Sequence, residues 1–174
     1  MQSNDDSNGS NGSNLAMNLI EGAIAGAAAT WVMGKVTSYL YEHEDKAARQ
    51  QEDSVRDGKT AYGVAAEKVA ELAGTSLSDD ERKAEGARIH WALGVGAGAL
   101  YGALRARVPQ TGVAQGLGFG TAFWLLMDEG AVYALGLTPA PTKFPWQTHA
   151  RGLAGHLVFG LIADTTLSLL KEGA

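Results

Sequence analysis

The sequence predicts an all-α fold: a four-helix transmembrane bundle with a polar helical insertion between helices one and two. Three observations carry that prediction. Residues 15–41, 87–107, 112–137 and 150–170 are apolar over about the length of a bilayer-spanning helix, which is roughly 17–25 residues. Charge is concentrated outside these segments, in residues 1–14 and 42–86. Glycine, 23 of 174 residues, recurs at four-residue steps inside them. In water such glycines would weaken each helix by about 1 kcal/mol per site relative to alanine. In lipid, small residues at that spacing let two helix backbones approach closely.

Taken in order, the opening MQSNDDSNGSNGSN is low in complexity and reads as a disordered acidic tail over residues 1–14. It has neither the basic start nor the apolar stretch of a signal peptide. The membrane domain then fills residues 15–174. Helix one carries Gly22, Gly26, Thr30 and Gly34. The charged stretch from Glu42 to Lys59 reads as its solvated continuation.

AYGVAAEKVAELAG follows, with Val64, Ala65, Val69, Leu72 and Ala73 expected on one apolar face and Gly74 as the stop. That helix is expected on the membrane surface or against the bundle. Ser78 and Glu81 have capping-box spacing, so the next helix is expected to begin there in water and enter lipid near Arg88. Its packing row is Gly94, Gly98 and Gly102. Helix three offers Gly112, Gly116 and Gly120, and helix four Gly152, Gly155 and Gly160. Pro139, Pro141 and Pro145 keep the loop between them out of helix.

Up-down order sorts the polar residues by depth. Lys35, His90, Asp128, Glu129 and His156 fall roughly 5–14 Å from one face, at 1.5 Å per residue. Glu21, Arg105 and Asp164 form a thinner layer toward the other face. Ionisable groups in lipid are costly and turn toward the bundle interior. Asp128 is expected to pair with Lys35, His90 or His156. Glu129 points about 100° away on a regular helix and is expected to face a neighbouring helix or a partner. Tyr39, Tyr41, Trp91, Tyr133 and Trp146 cluster near the histidine-bearing face, as interfacial aromatics do. His149 and Arg151 read as headgroup contacts.

Several function classes are excluded. Net charge is −5 and there is no basic tract, so nucleic acid is not an expected partner. Without cysteine there is no thiol nucleophile, iron–sulfur cluster or disulfide. GKTAYG lacks the spacing of a phosphate loop. No catalytic motif is present, so no enzyme activity and no cofactor are expected. Haem or a divalent metal held by His90 and His156, with Asp128, stays open as an alternative, beside plain hydrogen bonding between helices.

The loop and helix GLTPAPTKFPWQTHARGLAGHLVFG carry Gly136-Leu137-Thr138-Pro139, Phe144-Pro145-Trp146 and Gly155-His156-Leu157-Val158. This stretch resembles the YagU-like family of small bacterial inner-membrane proteins, whose domain has no assigned function. The resemblance is best over residues 130–160. It implies a multi-pass inner-membrane protein associated with acid-stress tolerance, and it supplies no catalytic residues. The long charged first loop departs from the Pro-rich loop common in that family. The expected partners are the lipid bilayer and a second copy or another membrane protein on the glycine faces. The functional expectation is proton or small-ion handling, with an accessory or scaffold subunit as the alternative.

Overall fold

The computed structural model describes residues 5–107 and 113–173. They form α1 (Asp5–Glu42), α2 (Lys46–Arg56), α3 (Ala61–Leu72), α4 (Asp79–Arg105) and α5 (Val113–Leu126). A π-helical turn (Met127–Ala131), the short α6 (Val132–Ala134), a 3-10 turn (Pro141–Lys143) and α7 (Trp146–Glu172) complete the chain. No strand occurs among the described residues.

The long helices lie in the order α4, α1, α7, α5, with α3 on the outer side of α4. Glycine decides how closely they pack. A Cβ built on Gly26 would sit 2.6 Å from the Gly94 carbonyl oxygen and 2.9 Å from the Gly98 Cα. Gly22 and Gly102 meet on the next turn of the same antiparallel seam. Across the bundle, a Cβ on Gly116 would lie 3.0 Å from the Gly160 carbonyl carbon, and one on Gly120 would lie 2.9 Å from the His156 carbonyl carbon. Any side chain at these positions would force the helices apart. Gly112 lies outside the described residues.

The core is small: Ala25, Ala29, Tyr101, Phe159, Ala163 and Leu167, with Phe119 and Phe123 against it. Large apolar side chains point outward instead. Ile20, Ile24 and Trp31 on α1, Leu100 on α4 and Leu169 on α7 are each more than half exposed.

Four expectations need correction. Among the described residues two helices, not four, are long and apolar enough to cross a membrane: residues Asn14–Glu42 of α1, and α7. The first turns of α4 carry seven charged residues among Asp79–Arg88, and α5 is only 14 residues long before the π turn. The tail is the second correction. α1 begins at Asp5, so residues expected to be disordered continue the helix; extending a formed helix costs far less than nucleating one. Residues 1–4 lie outside the described part.

Third, α1 does not continue through Glu42–Lys59. It stops at Glu42, and Asp45 caps a new helix by accepting from the Ala47 and Ala48 amides at 2.8 and 3.3 Å. Fourth, α3 buries Gly63, Ala66 and Ala70, while Val69 and Leu72 are exposed. Close approach of α3 to α4 selects the small residues. A Cβ on Gly86 would already sit 2.9 Å from the Gly63 nitrogen.

Candidate functional site

A polar chamber at one end of the bundle

The last turns of α1, His90 of α4, the first turns of α7 and the π turn border a half-open cavity of about 440 Å³. The insertion covers it. Ala48 and Glu52, one turn apart, are the buried residues of α2. Glu52 ties that helix down: one carboxylate oxygen accepts from Arg151 Nη2 at 2.5 Å and Thr148 Oγ1 at 2.8 Å, the other from Arg56 Nε at 2.8 Å. Arg151 spends its second arm on Glu44, also at 2.5 Å, and lies 4.9 Å over the Tyr41 ring. One guanidinium therefore joins the end of α1, α2 and the start of α7. Its planar fork suits two carboxylates at once. Burial works against the Glu52 carboxylate, yet the hydrogen bonds from Arg151 and Thr148 and the charge of Arg56 outweigh it. The Glu52 pKa lies below its ordinary value.

The π turn builds one wall. The Val132 amide reaches back five residues to the Met127 carbonyl. Such single π turns recur at functional sites because they re-aim side chains within a helix. Here they point two adjacent acids at two histidines of α7. Glu129 Oε1 lies 2.6 Å from His149 Nδ1. Asp128 Oδ2 lies 3.6 Å from His156 Nδ1. Glu129 thus faces a neighbouring helix, one of the two placements expected for it, and Asp128 lies beside His156, one of its three expected partners.

The two histidines are not equivalent. His149 Nε2 lies 3.1 Å from the Pro141 carbonyl oxygen, which only accepts. With Glu129 on the other ring nitrogen, His149 faces an acceptor on both sides. Satisfying both contacts takes two protons, as an imidazolium beside a carboxylate or as a neutral ring beside a carboxylic acid. His156 is buried, and its Nδ1 donates to the Gly152 carbonyl at 3.0 Å. Asp128 accepts no hydrogen bond among the described residues.

Gly152 leaves the space between them. A Cβ there would sit 3.1 Å from Trp124 Nε1 and 3.2 Å from Asp128 Oδ2. That Trp124 Nε1 is buried without a partner. On the far wall His90 packs against Tyr62 at 5.1 Å between ring centres. Burial, and next the charge of Asp128, push the Tyr62 hydroxyl pKa up.

Of the five residues expected in this layer, His90, Asp128, Glu129 and His156 line the chamber. Lys35 does not: it is exposed, its ammonium 6.0 Å above the Trp31 ring. At the other end, Arg105 Nε lies 2.7 Å from Asp164 Oδ1. Tyr101 donates to the same oxygen at 2.7 Å, and Arg105 donates to Ser168 at 3.0 Å. Glu21, half-buried on α1, does not join them. Between the two ends lie Ala25, Ala29, Phe119, Phe123, Phe159 and Ala163, all apolar.

Glu44, Glu52 and Tyr62 escaped the sequence reading, Tyr41 was read only as an interfacial aromatic, and Arg151 and His149 were assigned to headgroups. One signal was available: His149, Gly152 and His156 step by three and four residues, one face of a helix. Beside the chamber, a second pocket between His90 and His156 measures about 10 Å³, room for about one water. Among the described residues no three His, Asp or Glu side chains are arranged to hold a metal ion.

Family membership

No curated protein and no solved structure matches the chain. One family model does, over residues 60–165. That match takes in α3, α4, the π turn with its two acids and most of α7. It spans more than half of the chain, which therefore belongs to the family described as a protein of unknown function (DUF1440).

Proposed function

We propose that this is a multi-pass membrane protein that takes up and releases protons at one face, without catalysing a reaction. The observation that carries it is the Glu129–His149 pair in the chamber, whose two hydrogen-bond contacts call for one proton more than a neutral ring and a carboxylate carry.

The membrane reading rests on how little of the apolar helices is covered. Only 28% of the apolar window of α1 and 39% of that of α7 is buried within the protein. The core helix of a soluble protein would be mostly buried. Lipid accounts for the outward Ile20, Ile24, Trp31 and Leu169. α4 and α5 accompany the two spans, because the glycine seams leave them no separation from α1 and α7. Averaged hydropathy underrates both: Gly94, Gly98, Gly102, Gly116 and Gly120 face inward, while Leu100, Leu104 and Leu125 face outward. Within the family, the resemblance over residues 130–160 to YagU-like proteins suggests the bacterial inner membrane and acid-stress physiology.

The apolar layer beneath the chamber argues for proton handling at one face rather than a relay through the bundle. Imidazole nitrogen NMR in lipid nanodiscs tests the reading. At pH 7 His149 is expected to carry protons on both nitrogens, or one proton beside a protonated Glu129. Glu129→Gln should leave it a neutral ring protonated only on Nε2. A neutral His149 beside an ionised Glu129 in the wild type would end the proposal.

A further inference from the structure

We infer that the chamber binds a small organic ammonium group, seated on Asp128, with an oxygen acceptor of the same molecule on Trp124 Nε1. This rests on reading the chamber as the functional site and names what it takes.

Each acid around the cavity has a partner except one. Glu52 is held by Arg151 and Arg56, Glu129 by His149, and Asp53 accepts from Tyr41. Asp128 has no ion pair shorter than the 3.6 Å to His156, whose Nδ1 proton already serves the Gly152 carbonyl. Arg56, the remaining cation on the lining, is committed to Glu52 and lies 5.1 Å over Phe144. Asp128, its side chain still 32% exposed, therefore faces the cavity with a charge that no cation of the protein neutralises.

Shape and hydrogen bonding narrow the cation. The cavity, about 440 Å³, lies within the usual range of small-molecule sites, far larger than a bare metal ion needs. Arginines already cover the rings of Tyr41 and Phe144, which leaves Tyr62 and Trp124 to face an organic cation. The buried Trp124 Nε1 is a donor with nothing to donate to, and Gly152 keeps it and Asp128 within reach of the same small group. An ammonium with an oxygen a few bonds away meets both. That chemistry belongs equally to a free amino alcohol and to an ethanolamine lipid headgroup.

The test uses the full chain in nanodiscs of phosphatidylcholine alone, titrated calorimetrically with ethanolamine. Binding is expected, weakened roughly 10- to 100-fold in Asp128→Asn, the usual range for losing a charge-assisted hydrogen bond. Trp124→Phe should weaken it roughly 2- to 10-fold, and carries the test should Asp128→Asn fail to fold. Repeating the titration with phosphatidylethanolamine in the disc separates the sources: a lowered apparent affinity identifies the headgroup as occupant, and an unchanged one the free amine. Absence of binding overturns the inference. So does equal binding by Asp128→Asn, or sodium chloride displacing ethanolamine at equal concentration. If His149 behaves in the NMR experiment as proposed while ethanolamine does not bind, the ligand falls and the proton reading stands.

Discussion

Glu52 and Arg151, 99 positions apart in the chain, meet at 2.5 Å with side chains only 5% and 11% exposed. This contact holds the charged insertion over the chamber. Breaking one side leaves the other buried charge uncompensated, a loss of about 3–5 kcal/mol. Arg151→Met and Glu52→Gln should each lower the melting temperature in detergent clearly. The double variant should lose less than the sum, because the second change relieves the charge stranded by the first. Additive losses would show that the two residues act separately.

The same carboxylate sets a response to acid. Its folded pKa lies below the ordinary 4.5, so its stabilising effect is complete above that value. It is lost as pH falls through the lower folded value. Protection of the α2 amides, relative to their intrinsic exchange rates at each pH, should therefore fall below about pH 4.5 in the wild type. Glu52→Gln should exchange faster at pH 7 and change less on acidification. An α2 as well protected at pH 3 as at pH 7 would show that the pairing does not hold the cover.

Glycine offers a matched pair of substitutions on one helix. A Cβ on Gly98 would come within 2.6 Å of the Gly26 nitrogen, whereas one on Gly96 meets nothing within 4 Å. Gly96→Ala should stabilise α4 by up to about 1 kcal/mol through helix propensity alone. Gly98→Ala should destabilise it by about 1–3 kcal/mol through overpacking. Thermal melts followed by circular dichroism decide. Equal effects would mean that α1 and α4 are not in backbone contact.

These experiments also mark how far the sequence could be read. Helix starts were legible where one local pattern suffices: Ser78 and Glu81 form the capping box their spacing announces, and Gly74 takes the left-handed conformation just past α3. The chamber was half legible. His90, Asp128 and His156 stand out as polar residues in apolar surroundings, and depth alone groups them. Glu52 does not stand out, because in QQEDSVRDGK it is one charge among several. Only the reversal of the chain at Asp45 buries it. Lys35 failed for the converse reason: depth along a helix says nothing of which side the residue faces. The π turn was illegible, since no residue in Met127–Ala131 demands the extra residue per turn; the pull of two histidines on two acids is a tertiary effect.

At the opposite end Asp164 carries three partners, Arg105, Tyr101 and, through its backbone carbonyl, Ser168. Asp164→Asn keeps the shape and removes the charge, leaving Arg105 buried without a counter-ion. A loss of about 3–5 kcal/mol is expected. Lys35→Ala, at an exposed site, should change stability by less than about 0.5 kcal/mol. Comparable losses for the two would mean that burial does not distinguish the charges as described.

Trp31 tests the solvent around α1. Its side chain faces outward, 58% exposed, eleven positions before the helix ends at Glu42, or about 16 Å along the axis at 1.5 Å per residue. That is close to half of a 30 Å hydrocarbon layer. Trp146 is also exposed, at the first residue of α7, and should lie near the headgroups. With the other tryptophans changed to phenylalanine, Trp31 fluorescence should be quenched most by lipids brominated deep in the acyl chains. Trp146, measured alone in the same way, should respond best to shallow bromines. Both emissions at the wavelength of water-exposed indole, unaffected by either lipid, would mean that hydrocarbon is not what covers Ile20, Ile24 and Trp31, and the membrane placement would have to be abandoned.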